Sequence, residues 1–353
     1  MSTRYQAGDL VAFGRSLLEA AGLPQNRAGV VSEVLVEGDL LGHTTHGLQL
    51  LSPYLASLEA DCMAKDGEPE VISDRGATIA WDARYLPGPW VVSEARRLAC
   101  ERAERHGVVT VVIRRCHHIA CLQAYLQAAT DLGYVMLLYS SDPSVASVAP
   151  HNGTKALYTP NPLAAGFPTQ GDPVLLDISM STTTNGMTMR THKEGQSLPG
   201  PWVKDAAGNP TTDPSVLFSD PPGTIFPLGG ADLGHKGFGL GLLVEALTSG
   251  LGGYGRADHP KNWGSSVMLQ IMDPDAFGGE AAFKRETSWV AEAVRANPPA
   301  AGSKEGPRVP GERGLRLRER QLLEGVELYG GILDGLEPWA TKLGVSLPPV
   351  IQS

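Results

Sequence analysis

The chain is short of cysteine, short of positive charge and without any long apolar run. Its four cysteines, Cys62, Cys100, Cys116 and Cys121, form no CxxC pair and no disulfide-like spacing in 353 residues. That excludes a small stapled secreted scaffold. Lys and Arg number 29 against 38 Asp and Glu, a formal net charge of −9. Binding to a phosphate backbone needs a concentrated basic surface, so no nucleic acid partner is expected. The longest apolar stretches, 108–113 and 134–139, fall far below the ~18 residues of a membrane span. The opening MSTRYQAGDL lacks the apolar core of a signal peptide. A soluble protein in a reducing, cytoplasmic setting is the expectation, with no membrane partner.

Glycine and proline are abundant instead, at 42 and 27 residues, both above the usual ~7% and ~5%. No collagen-like period, low-complexity block or internal repeat holds them. Hydrophobic residues at 42% and charged residues at 19% describe a globular chain, one long enough for two domains.

The first seventy residues have helical texture. Leu10, Val11, Phe13, Leu17, Leu18 and Ala21 fall on one face, and Gly22-Leu23-Pro24 stops that helix. Val30, Val31, Val34 and Leu35 continue the pattern as far as Gly42. Thr44 or Thr45 can then cap a third helix carrying Leu48, Leu51 and Leu55. From about Val71 strands alternate with helices: strands over 77–81, 108–114, 134–139, 173–179 and 265–273, and helices over 91–105 and 122–132. This pattern predicts an α/β fold with a central sheet covered by helices. Residues 184–230 form a long Pro/Gly/Thr-rich stretch of the kind that is often functional. Residues 297–314 read as a proline-rich linker before a helix with Leu315, Leu317, Leu322 and Leu323.

Four histidines stand in two pairs, His43/His46 and His117/His118. Imidazole titrates near neutral pH, so general acid–base chemistry is the functional candidate, and packing at a helix corner is the plain alternative. The partners of a metal site, an HExxH or a carboxylate or cysteine at ligand spacing, are missing, so no metal is expected. Eleven of the 33 residues over 223–255 are glycine. Glycines before a helix let backbone N–H groups approach a phosphate, and Lys236 would add charge. Tight packing around Gly237, Gly239 and Gly241 competes equally. GxGxxG is absent and no strand is expected before the segment, which excludes the Rossmann fingerprint. Asp177 ends an apolar strand, where it can orient a histidine, bind a ribose hydroxyl or cap a turn.

Together these segments resemble the malate/L-lactate/ureidoglycolate dehydrogenase family, with its sulfolactate-dehydrogenase-like fold. GDLLGHTTHGLQLLSPYL is similar to "DLRGHxSHGVxR", HHIACLQAY to "NHFGxxxxY", PNPLAAGFP to "GTNPLAxxxP" and VLLDIS to "xxLDMA". LPGPWVKDAAGNPTTDP, then PLGG with GHKGFGLGLLVEALTSGLGG, then VPGER continue the match in order. The resemblance implies a central mixed sheet flanked by helices, non-Rossmann nicotinamide binding, and a helical domain built from both chain ends. By matched extent, 1–70 with 313–353 would form the helical domain and 71–312 the α/β domain. It also implies a homodimer and NAD or NADP as cofactor.

By matched position, His46 is the expected acid/base, with His118 beside it as a substrate-orienting group or its replacement. Asp177 is expected to orient the histidine, with a hydrogen bond between the two as one means. Ser141, Asp177, Ile178, Ser179, Lys236, Gly311, Glu312 and Arg313 match cofactor-contacting stretches. Arg190, Arg256 and Arg313 are each a candidate for a 2′-phosphate.

The departures fall at the substrate end. Leu50 and Leu41 replace family arginines, Thr45 replaces a serine, and Thr159-Pro160-Asn161 replaces "GTN". An arginine would hold a carboxylate by two parallel hydrogen bonds. Its loss leaves two alternatives for the substrate pocket of Thr45, Leu50, Pro160 and Asn161: Arg114 and Arg115 supply the anion contact from the opposite wall, or the substrate has no carboxylate there. The expected activity is hydride transfer between nicotinamide and a small ketone or hydroxy acid. A cyclic-imine carboxylate reductase, a degenerate cofactor-binding member and a histidine-based metal hydrolase are the alternatives.

Overall fold

A computed structural model describes residues 3–303 and 305–351. The chain opens with a short strand, β1 (Arg4–Tyr5), and three helices, α1 (Ala7–Ala20), α2 (Gln25–Leu40) and α3 (Leu51–Glu59). Helix α1 buries Leu10, Phe13, Leu17 and Leu18, the stripe its periodicity predicts. It lies close to α2 because Gly14 has no side chain. A Cβ there would overlap Ser32 Oγ, which itself donates to the Val11 carbonyl at 2.8 Å.

Next come β2 (Glu70–Asp74), β3 (Thr78–Asp82), α4 (Gly88–His106), β4 (Val108–Cys116), the single turn α5 (Gln127–Thr130), β5 (Val135–Ser141), β6 (Leu163–Phe167) and β7 (Val174–Ile178). The long Pro/Gly/Thr-rich stretch holds α6 (Asn185–Lys193) and a small sheet of β8 (Val203–Lys204), β9 (Pro210–Thr211) and β10 (Thr224–Ile225). Helix α7 (Gly230–Glu245) leads to β11 (Ser265–Met272) and α8 (Glu280–Ala296). The chain ends through α9 (Glu312–Glu324), β12 (Val326–Glu327) and α10 (Ile332–Leu343).

Seven strands form one mixed sheet in the order β2-β3-β4-β11-β5-β6-β7. Only β3 and β4 run parallel; the other neighbours are antiparallel. Strand β11 comes late in the chain yet lies at the centre, and its first five residues are all buried. That double-sided burial suits the consecutive apolar residues Val267, Met268 and Leu269 at its middle. The two chain ends meet: β1 pairs with β12, α10 packs on α1 and α3, and α9 on α2. One continuous buried cluster runs from these helices through α4 into the sheet. Among the described residues no helix is long and apolar enough to cross a membrane.

Several local expectations change. The third helix is not capped by Thr44 or Thr45; a 3-10 turn, Leu48–Leu50, precedes α3, and Asp39 Oδ2 accepts the Leu48 N–H at 2.7 Å. The helix expected over 122–132 is a 3-10 turn, Leu122–Tyr125, followed by α5. The Asp177 carboxylate takes the Gln123 N–H at 3.0 Å and holds that turn against β7. Strand β6 carries no β-branched residue, so it leaves little trace in the sequence. Helix α8 lies in a region where no helix was expected. Leu322 and Leu323 of α9 are exposed rather than part of the core.

The glycine-rich helix begins at Gly230, so several of the glycines lie within it rather than before it, and it runs into a π-helical turn, Ala246–Gly250. A strand does precede it, but β10 is two residues long and belongs to the small sheet. Packing explains Gly237 and Gly241 but not Gly239, where an added Cβ would have nothing within 4 Å. A Cβ at Gly237 would overlap the Leu228 carbonyl oxygen, and one at Gly241 would lie 2.7 Å from the Tyr158 ring.

Candidate active site

A cavity of about 520 Å³ opens where the loop after α2, the ends of β5 and β7, and the start of α6 converge. Its walls include His46, His118, Asp177, Ser141 and Ser179, with Thr45, Leu50, Pro160 and Asn161 on the side expected to receive substrate. Residues far apart in the chain are thus brought together around one cavity. Ile178, Lys236, Gly311, Glu312, Arg313, Arg114 and Arg115 are not in its lining.

His46 owes its place to the end of α2. Asp39 is buried there, and its carboxylate occupies the space a Cβ at Gly47 would need, so the loop can close only with glycine after His46. Burial pushes the Asp39 pKa up to about 7, against the opposing Leu48 N–H bond and the nearby Arg190 charge. His46 is half-buried by surface, open to the cavity and enclosed by protein elsewhere. That enclosure pushes its pKa below the usual imidazole value; Asp177 raises it, while His43 and Arg190 lower it further. Its Nδ1 lies 2.9 Å from Thr45 Oγ1.

His118 is held differently. The Ala120 N–H donates to its Nδ1 at 3.2 Å, so that nitrogen carries a lone pair and Nε2 carries the proton. The Tyr54 hydroxyl also sits 2.9 Å from Nδ1 and donates to the His118 carbonyl at 2.9 Å. Burial, then His46 and His117, hold the His118 pKa well below the ordinary value. Its ring stacks on Trp263 at 4.7 Å and faces His46 at 6.0 Å between centroids. His117 is not in the lining. It packs between Tyr54 and Trp263 with both ring nitrogens unpartnered, and burial pushes its pKa down to about 3.

Asp177 accepts from the Gln123 N–H and, at 3.8 Å, from Cys121 Sγ; neither contact is the direct hydrogen bond to His46 considered from the sequence. Ser141 Oγ is occupied by Thr248 and Ser249 at 2.9 and 3.2 Å, and Ser179 Oγ donates to the Ser181 carbonyl at 3.1 Å. Asn161 is buried at φ +46°, and its Nδ2 donates to Gly241 O and Glu245 Oε1 at 3.1 and 3.0 Å. It fastens α7 to the cavity wall.

The arginines are committed elsewhere. Arg114 Nε donates to Asp82 Oδ2 at 2.8 Å, and Arg115 Nε reaches both oxygens at 2.8 and 3.0 Å. Burial would raise the Asp82 pKa, but Arg115, the Arg84 N–H and Arg114 outweigh it and leave it low. Neither arginine forms the opposite wall of the substrate pocket. Leu50 does line it, whereas Leu41 is buried against the Gly314 backbone. Glu312 accepts from Val309 N–H and pairs with Arg316 and Arg295, while Arg313 is exposed. Lys236 is exposed on α7. Arg256 is tied to Glu245 and to the Asp142 and Val145 carbonyls.

Arg190 reaches Thr44 Oγ1 at 2.9 Å and lies 3.6 Å over the Tyr329 ring, beside the His46 loop. Among the described lining residues there is no Lys or Arg. Asp39, Tyr54 and Trp263 were not anticipated, whereas the first turn of α6 falls in the 184–230 stretch singled out from the sequence. Asp39 stands inside the same motif as His46 and was within reach; Trp263 arrives through the late central strand, with no local signal.

The sequence profile of the family described as malate/L-lactate dehydrogenase matches residues 5–337. The chain is 33% identical over 335 residues to the (2R)-3-sulfolactate dehydrogenase (NADP(+)) of Chromohalobacter salexigens, covering 92% of this chain and 94% of that one. The solved malate dehydrogenase of Entamoeba histolytica superposes with a TM-score of 0.92 at 21% identity, over 99% of this chain and 100% of that one. The delta1-piperideine-2-carboxylate reductase of Pseudomonas syringae superposes at 0.82 with 26% identity, over 96% and 99%. The fold is accordingly that of the sulfolactate and malate dehydrogenases. The chain belongs to the malate/L-lactate dehydrogenase family, nicotinamide-dependent oxidoreductases acting on CH–OH groups.

Proposed function

We propose that the protein transfers hydride between NAD or NADP and a small ketone or hydroxy compound, with His46 as the acid/base. The observation that carries this is the convergence of His46, His118 and Asp177 on one cavity. A space of about 520 Å³ with hydroxyl and apolar walls suits a nicotinamide ring together with a small substrate. Ser179, Asp177 and the backbone around Pro160 would hold the ring end. When bound, the nicotinamide supplies or accepts the hydride.

The chain's own groups handle the proton. In the oxidative direction neutral His46 takes the hydroxyl proton, a state its lowered pKa favours. With Nδ1–H donated to Thr45 Oγ1, Nε2 is the basic nitrogen. Asp177 stabilises the imidazolium that forms, and in the reductive direction that imidazolium returns the proton to the developing alkoxide. His118 has Nε2–H as its donor and orients the substrate oxygen; it does not exchange the proton.

A cavity lined by Leu50 and without arginine disfavours a dicarboxylate, since an unpaired buried carboxylate costs several kcal/mol or more. We propose that the substrate turns an apolar group toward Leu50. Leu50→Arg is then expected to raise kcat/KM for simple 2-oxo acids such as pyruvate or glyoxylate by about tenfold; no gain in steady-state rates would count against a repurposed pocket. The 26% identity to a cyclic-imine reductase supports C=N reduction as the second reading.

A panel of hydroxy acids, ketones and cyclic imines, run with each cofactor, tests the proposal. Turnover that falls by about 10²–10⁴-fold in His46→Ala is expected. Confirmed cofactor binding with no turnover across the panel would mark a binding protein instead. We also propose a homodimer formed through α7, whose Leu233, Leu240 and Leu243 are exposed away from its buried glycine face.

A further inference from the structure

We infer that His43, Cys121 and Asp177 form a binding site for one thiophilic divalent cation, zinc above all, at the inner wall of the active-site cavity. The three are far apart in the chain and show no ligand spacing. Folding nevertheless places one ring nitrogen of His43, Cys121 Sγ and an Asp177 oxygen within 4.8 Å of one another. Cys121 Sγ and Asp177 Oδ2 are 3.8 Å apart. Two ligands of a tetrahedral zinc at ~2.3 Å for sulfur and ~2.1 Å for oxygen stand about 3.6 Å apart, so little movement is needed.

The surroundings already support such a set. Gln123 touches two of the three ligands: its N–H donates to Asp177 Oδ2 at 3.0 Å, and its Oε1 lies 2.7 Å from His43 Nε2. Contacts of this kind orient metal ligands. All three residues line the cavity, so water or a substrate atom can complete the coordination. Sulfur and imidazole together select zinc over magnesium or calcium, which prefer oxygen alone. Binding converts the Cys121 thiol to thiolate and releases one proton to solvent.

Occupation also withdraws the Asp177 carboxylate from His46 and puts a double positive charge in its place. Zinc would therefore inhibit; that consequence, unlike the binding, rests on the function proposed above.

The test begins with binding, independent of activity. The full chain, stripped with chelator, is titrated with zinc alone against a competing chromophoric chelator, and separately with cobalt. One zinc per chain is expected, with a thiolate-to-cobalt charge-transfer band in the cobalt form. Cys121→Ser and His43→Gln should each weaken zinc by at least about tenfold, and Cys121→Ser should abolish the band. No stoichiometric zinc, an unchanged affinity in both variants, or no charge-transfer band overturns the site. Should Cys121→Ser fail to fold by thermal melting, Cys121→Ala and the wild-type cobalt spectrum decide. Zinc that binds as expected yet leaves turnover unaffected would refute the inhibitory role while leaving the site in place.

Discussion

Three histidines with the same ring are set to three tasks by what their nitrogens touch. His118 receives the Ala120 N–H on Nδ1 and is left a donor at Nε2. His46 has only a neighbouring hydroxyl on Nδ1 and stays free to exchange a proton. His117 touches no polar partner and serves packing. Because Asp177 raises the proton affinity of His46 against its burial, Asp177→Asn should move the acidic limb of the oxidative kcat/KM profile to lower pH. A limb that stayed in place would remove Asp177 from the role assigned to it.

His117 carries a stability prediction. Its folded pKa, about 3, lies below the unfolded value of ~6.5, so the folded state binds fewer protons and stability is lost as pH falls between the two. At pH 5 that amounts to about 2 kcal/mol relative to pH 8. Urea unfolding of His117→Leu at the two pH values should show the wild type losing about 2 kcal/mol more than the variant.

At the scale of elements, glycine in α7 is a packing device. A methyl at Gly237 would meet the backbone of Leu228, which cannot swing aside, so Gly237→Ala is expected to destabilise by about 1–3 kcal/mol. Gly239, where an added methyl would have nothing within 4 Å, should accept alanine without loss. Equal melting temperatures for the two variants would contradict this division. Residue counts alone left packing and phosphate binding equally open, because both demand small residues before a helix. Helix α1 was legible since its stripe follows the 3.6-residue period. Strand β6 was not, because Ala164, Ala165 and Gly166 owe their strand state to neighbours β5 and β7.

At the scale of the molecule, the sheet decides which distant segments share a cavity. Strands β5 and β7 bring Ser141 and Asp177 to one side, and the loop after α2 closes over them with His46. Helix α7 leaves leucines on the surface that a second copy would cover. Leu240→Asp should convert the proposed dimer to monomer in light scattering, with the fold preserved by circular dichroism. A wild type that is monomeric at all accessible concentrations would dismiss the interface.

The sequence by itself determined the family and the periodic helices and strands, and it singled out His46, His118 and Asp177 as candidates, because motifs and periods depend on residues close along the chain. Tertiary structure alone decided what the charged groups do. Asp82 claims Arg114 and Arg115, so neither guards the substrate. Three residues with no sequence spacing in common, His43, Cys121 and Asp177, meet at one wall. The reason is physical: a buried charge must find its partner wherever the folded chain brings one within reach, and that distance is not written in any local pattern.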